Sequence, residues 1–177
     1  MVCPNATKKK IANVSLNPLI TWYFRQMSIK IRPGKLIDLP EVVKMIKELA
    51  DYEKALDQVE ITVEILERDG FGDHPYFWIL IAEKHGEIAG LAFYFIRYST
   101  WKGKTLYLED FIVKDEFRRQ GIGTELFNEL KKIVNREGLD GIVWQVLDWN
   151  EPAIKFYKKL GATISSEWLD GRLSNPN

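Results

Sequence analysis

The chain has 177 residues, room for one domain rather than two. Its 46% hydrophobic and 28% charged residues exclude a disordered chain, a collagen and a fibrous repeat. Formal charge is zero, but residues 1–26 hold four of the 25 basic residues and no acid, so residues 27–177 carry 21 basic and 25 acidic groups, a net of −4. That mildly acidic body disfavours a nucleic-acid partner and suits a cation. The single cysteine, Cys3, excludes an internal disulfide and a cysteine-based zinc cluster, and His74 and His85 are too few for a multi-histidine site, so no metal is expected.

Residues 1–26 read as a leader, disordered or outside the fold, with Met27 starting the folded domain over 27–177. A targeting segment and an ordered extension are the alternatives. Polar residues break every apolar run there, so no membrane partner is expected. After it, Ile29–Arg32 alternates as a short strand ended by Pro33-Gly34. Asp38 is placed to cap a helix over 39–53, with Val42, Met45 and Leu49 on its apolar face. A shorter helix runs from Thr62 to Glu67 and is ended by Asp69-Gly70. Phe77–Glu83 and Glu87–Arg97 read as strands joined by a tight His85-Gly86 turn. Thr105–Val113 is an apolar strand interrupted by Glu109-Asp110. Gly121–Glu137 is an amphipathic helix and Gly141–Leu147 a buried strand. A helix starts at Asn150 and Pro152 and ends before Gly161, and Thr163–Leu173 has room for one last strand. The pattern is an α/β (α+β) domain with a mixed, mostly antiparallel sheet and about four flanking helices.

Three stretches carry chemistry. Arg118-Arg119-Gln120-Gly121-Ile122-Gly123-Thr124 follows a strand and opens a helix. Glycines there let a ligand approach the backbone, and free N–H groups with the helix dipole attract an anion. The alternative is a glycine-softened helix start beside surface arginines. Glu109 and Asp110 are adjacent acids in an apolar strand, on opposite faces unless a bulge re-aims one. One of them facing a cleft would serve as a base or hold a cation; otherwise they are a solvated and a paired acid at a strand end. Finally, Asn150 caps a helix that carries Tyr157 about two turns along. A tyrosine beside a leaving group can donate a proton, although Phe156 and Tyr157 also read as packing aromatics.

Taken together, the acidic strand, R-x-x-G-x-G, helix, strand, asparagine and F-Y helix resemble the GNAT superfamily of acetyl-CoA-dependent N-acetyltransferases. Leu106–Phe111 and Trp149–Pro152 are similar to the diamine (spermidine/spermine) acetyltransferase family. Tyr98–Gly103 and Val146–Asn150 are closer to its thialysine-acetylating branch. The resemblance implies a sheet splayed at a bulge. It implies acetyl-CoA as co-substrate, with its pyrophosphate on Arg118–Thr124, its pantetheine arm along Phe111, Ile112 and Val113, and Asn150 and Ala153 near the thioester. It implies Glu109 as base, Tyr157 as general acid, and an acceptor channel near Tyr52, Glu53, Ser99, Trp101, Asp110, Trp144 and Trp149. A small cationic amine, a homodimer and a cytoplasmic protein follow as expectations. Where the polyamine branch carries an acid, this chain has Ser99, which implies a shorter acceptor such as thialysine or a small diamine. A peptide or protein amine acetyltransferase and a non-catalytic CoA- or polyamine-binding module are the rival readings.

Overall fold

The computed structural model describes residues 28–169 together with Gly171 and Leu173. The expectations for residues 1–26 therefore lie outside the described residues. The five strands are β1 (Lys30–Pro33), β2 (Trp78–Lys84), β3 (Glu87–Ser99), β4 (Gly103–Val113) and β5 (Ile142–Trp144), side by side in chain order. Four α-helices flank them: α1 (Leu39–Tyr52), α2 (Val63–Gly70), α3 (Ile122–Glu137) and α4 (Glu151–Lys159). Pairing is antiparallel from β1 to β4 and parallel between β4 and β5, which matches the expected mixed sheet.

Period-two alternation sorts the strand residues onto two cores. Ile79, Ile81, Leu91, Phe93 and Ile112 pack with Leu39, Val42 and Met45 of α1 and Leu66 of α2. Leu80, Ala82, Tyr94, Leu106 and Leu108 face the other way, onto Leu126, Phe127 and Leu130 of α3 and Tyr157 of α4. The β2–β3 turn places His85 at φ 54° and Gly86 at φ 81°, the pair of left-handed residues that a two-residue type I′ hairpin demands.

Two predicted strands are corrected. The one over 141–147 is confined to Ile142–Trp144, because its partner β4 bulges immediately beyond the last paired residue, Leu108. Residues 163–169 form no strand, although one was expected over 163–173. Local bonding such as Glu167 N–H to Ser165 Oγ (3.3 Å) takes the backbone there instead. α2 also runs beyond the expected stop to Gly70, capped at its start by Thr62 Oγ1 as expected.

Asp38 stands at the N-cap of α1, but its carboxylate does not cap the helix. It accepts a bidentate pair from Arg32 at 2.6 and 2.8 Å and the Lys35 N–H at 2.8 Å. Arg32 also donates to Glu83 at 2.6 Å, so one guanidinium joins β1, β2 and the start of α1. The Arg32 and Asp38 side chains are 14% and 6% exposed. Arg32 therefore holds both carboxyls below their ordinary range. Removing one partner of so buried a pair strands the other charge, so Asp38→Asn is expected to cost about 3–5 kcal/mol in urea unfolding at pH 7. A carboxyl with a depressed folded-state pKa stabilises above its unfolded value and stops doing so as pH falls through the folded one. The gap between wild type and Asp38→Asn is therefore expected to shrink from pH 7 to pH 3.

Candidate active site

β4 and β5 share a ladder only over Leu106–Leu108 and Ile142–Trp144. On its other side, β4 pairs Leu108 with Tyr94 and Asp110 with Phe93, so Glu109 is an extra, bulged residue. The bulge changes which backbone groups face which neighbour. Leu106 N–H donates to Gly141 O, towards β5, whereas Lys114 N–H donates to Ala89 O, towards β3. Counting back by alternation, Ile112 bonds to β3, while the amides of Phe111 and Val113 face outward on the β5 side. Among the described residues no strand pairs with that stretch, so the sheet opens there as a wedge.

The walls of the wedge come from three elements. Tyr157 of α4, 6% exposed, sits in an aromatic nest with ring centroids 4.6 Å from Trp144, 6.2 Å from Phe127 and 6.3 Å from Phe111. Burial and the nearby Glu53 carboxylate raise its phenol well above the ordinary value. Asp110 shares a sheet face with its partner Phe93, on the α1 side, and its carboxyl is pushed up to about 7 by burial, then by Glu109 and Glu53. Burial also raises Glu53, just past the end of α1, and Glu109, even though the Glu109 side chain is exposed at the bulge. Asn150 caps α4 by accepting the Ala153 N–H at 3.3 Å and receives the Tyr52 hydroxyl at 3.5 Å, which links the end of α1 to the start of α4. Trp149 lies 5.7 Å from Tyr52, with Lys54 Nζ 5.9 Å from its ring. A cavity of about 300 Å³ elsewhere, among Pro33, Phe71, Trp78 and Arg136, contains none of these groups.

A sheet opened beside a glycine-started helix narrows the family, and comparison with known proteins decides it. Residues 42–162 match the model of the Acetyltransferase (GNAT) family. The chain belongs to the GNAT acetyltransferase family. It is 43% identical over 148 residues to a thialysine N-epsilon-acetyltransferase of Sus scrofa, covering 79% of this chain and 87% of that one. It is 40% identical over 146 residues to the spermidine/spermine N(1)-acetyltransferase-like protein 1 of Homo sapiens, a match that takes in 78% of this chain and 21% of that longer protein. Among solved structures, the integron cassette protein VCH_CASS6 of V. cholerae superposes with a TM-score of 0.68 at 25% identity, covering 84% of this chain and 94% of that one.

Within this GNAT domain, the structure brings Tyr52, Glu53, Glu109, Asp110, Phe111, Trp144, Trp149, Asn150 and Tyr157 around the wedge. The loop before α3 is less free than its sequence implies. Arg118 donates to Val113 O at 3.1 Å and pairs with Asp115 at 2.7 Å. The Gln120 side chain bonds Glu116 O and Lys84, and the Ile122 side chain is core. Besides the exposed Arg119 and Thr124, the loop offers backbone: Gly121 holds φ +86°, and the N–H groups of Ile122, Gly123 and Thr124 precede the first intrahelical donor, Glu125. Gly123 serves packing too, since an added Cβ would meet Phe156 at 3.3 Å. The Ala153 N–H is spent on the Asn150 cap. Ser99 and Trp101 stand apart, at the β3–β4 turn, where Ser99 Oγ accepts the Trp101 and Lys102 N–H groups. That turn is roughly 20 Å along β3 from the bulge, at ~3.3 Å per residue.

The elevated Asp110 gives a test of the acidic cluster that is independent of activity. A carboxyl whose pKa is raised on folding costs nothing below the ordinary carboxylate range, and its cost grows until the pH passes the folded value, here about 7. Asp110→Asn is expected to match wild type in stability at pH 4 and to exceed it at pH 8 by about 1–4 kcal/mol. Chemical denaturation at the two pH values checks this, and equal stabilities at pH 8 would remove the buried charge from the account.

Proposed function

We propose that this N-acetyltransferase moves the acetyl group of acetyl-CoA onto the primary amine of a small cationic acceptor of the thialysine or diamine kind. The observation that carries the reading is the open edge of β4, with Tyr157 on one side and three carboxyl groups, Glu53, Glu109 and Asp110, on the other. The residues present suit acetyl-CoA. The outward amides of Phe111 and Val113 can pair with an extended amide-bearing arm, as an added strand would. The N–H groups opening α3 suit a pyrophosphate, and Arg119, exposed at φ 62°, stands beside them. When bound, acetyl-CoA supplies an activated thioester carbonyl.

The chain's own groups would do the rest. An alkyl ammonium, with an ordinary pKa near ~10.4, must lose a proton before it attacks. Glu53, Glu109 and Asp110 attract the cation, and Glu109, exposed at the bulge, is placed to take that proton directly or through water. Desolvation of the amine against the Tyr52 and Trp149 rings would lower its own proton affinity. Tyr157 keeps its proton at neutral pH, and its hydroxyl would be a donor available to a departing thiolate. Its phenol is a weaker acid than an ordinary thiol, so it acts first as a hydrogen-bond donor to developing negative charge. Proton transfer to the leaving sulfur would be helped by the same dry surroundings, which disfavour a thiolate as they do a phenolate.

Thiol release from acetyl-CoA over a panel of thialysine, lysine, putrescine, spermidine, spermine and a lysine peptide tests the reading. Wild type is expected to turn over the small amines, with the peptide poor. Tyr157→Phe is expected to lower kcat by about 10²-fold, within the usual range for general acid catalysis, and to leave KM for acetyl-CoA within about twofold. An unchanged kcat removes Tyr157 from the chemistry. Cofactor binding without turnover of any amine would leave a binding module instead.

A further inference from the structure

The face of the sheet that carries Asp110 is covered by α1 and α2 at Ile112 and Phe93, with the half-buried Phe95 at the margin of that cluster. Towards the β3–β4 turn, the paired residues on that same face are Phe95 with Tyr107, then Arg97 with Thr105, then Ser99 with Gly103. Phe95 and Tyr107 pack at 5.0 Å. Tyr107 donates its hydroxyl to Gln145 Oε1 at 2.9 Å, which fixes the ring. The Arg97 guanidinium lies over that ring, its Cζ 5.3 Å from the centroid. Its side chain therefore leans back from its own position towards the wedge. Arg97 is exposed and, among the described residues, pairs with no carboxylate, in contrast with Arg32, which holds two. A lone, stacked guanidinium on an apolar platform is suited to a planar anion that the protein itself does not supply.

We infer, on the acetyl-transfer reading above, that Arg97 is a specificity-determining residue that binds the carboxylate of an amino-acid acceptor while the acidic wedge holds its side-chain amine. Tyr107 stands beside Phe95, two strand positions from the Phe93–Asp110 pair, roughly 7 Å at ~3.3 Å per residue. An amino acid whose side-chain nitrogen lies six bonds from its carboxyl carbon spans about 7 Å when extended, at ordinary bond lengths. One end of such a molecule reaches the acids while the other meets the guanidinium. A polyamine running the same way would bring its second ammonium onto Arg97, before reaching Ser99, and like charges repel. The acceptor class is therefore a zwitterion with a distal primary amine, and the same amine without its carboxylate is the poorer substrate.

Pairs that differ only by the carboxylate test this on the full-length enzyme: thialysine against bis(2-aminoethyl) sulfide, and lysine against cadaverine. Wild type is expected to show the higher kcat/KM for the amino acid of each pair. Arg97→Gln, which keeps length and stacking but removes charge, is expected to lower the ratio of amino-acid to diamine kcat/KM about tenfold or more, mainly through KM for the amino acid. Arg97→Lys is expected to recover part of that ratio, and thermal melting checks that both variants are folded. A ratio unchanged in Arg97→Gln overturns the inference, as does a wild type that prefers the diamines. Wild type inactive on all four amines overturns the acetyl-transfer reading itself, and the assignment of Arg97 with it.

Discussion

One extra residue in β4 determines how the rest of the site is built. Without the bulge at Glu109, the backbone parity set by Leu106 and Leu108 would run unchanged to Val113. The outward groups would then be those of Asp110 and Ile112, and Phe111 would turn its ring to the α1 side. With it, Phe111 aims its ring into the nest with Phe127, Phe156 and Tyr157 and its amide into the gap. The parallel ladder to β5 ends at the same place. The open edge and the aromatic floor therefore have a common origin, which is why a single insertion in register can create a slot without unravelling the sheet. Lys114, paired with Glu41 of α1 at 2.6 Å, re-anchors the strand immediately beyond.

Acids of the same kind behave oppositely in two parts of this molecule, and their partners explain it. Asp38 and Glu83 share Arg32, and both carboxyls are depressed; they serve the fold. Glu53 and Glu109 are raised by burial, and Asp110 by burial and then by those two carboxylates. Such a cluster is a poor contributor to stability and a good receptor for a cation, since an incoming ammonium would relieve both the desolvation and the mutual repulsion. The protein keeps its own cations to the margin. Lys54 lies over Trp149 and Arg97 over Tyr107, each on an aromatic face rather than on a carboxylate. The margin is thus cationic and the centre acidic, a polarity that, on the proposed reading, would sort acceptors by what they carry at the far end from the amine.

Much of this arrangement was legible in the chain because it obeys local rules. His85-Gly86 marked a hairpin and the spacing of Leu126, Leu130 and Ile133 marked α3, while the two acids inside Leu106–Val113 left a bulge as one of two alternatives, which the register of β4 resolves. The side-chain diversions were not legible. That Arg118 would bond Val113 O, or Gln120 bridge Lys84 and Glu116, depends on a loop conformation with Arg119 and Gly121 both left-handed. Residues 163–169 of the expected last strand are irregular, since strand propensity requires a partner and β5 is only three residues long. Arg97 was overlooked although its signal was present: with period two, Phe93, Phe95 and Arg97 share one face, and the arginine is the charge that interrupts it.

The placement of Tyr157 in one core and of the acids on the face of the other sets the chemical problem that the proposed reaction must solve. The phenol belongs to the α3 and α4 face, the acids to the α1 face, and only at the wedge do they come near enough for Glu53 to act on both Tyr157 and Asp110. A donor entering from one face and an acceptor from the other would meet there without crossing, which favours direct transfer in one complex over a relay through a protein nucleophile. The same dryness that holds the proton on Tyr157 leaves the Trp144 indole N–H buried without a partner among the described residues. A nest this poor in hydrogen bonds stabilises free charge badly, so negative charge arriving on sulfur would have few donors to turn to, the Tyr157 hydroxyl and the Trp144 indole N–H among them. Reactivity would then come from the scarcity of alternatives in the nest and not from any unusual acidity of the phenol.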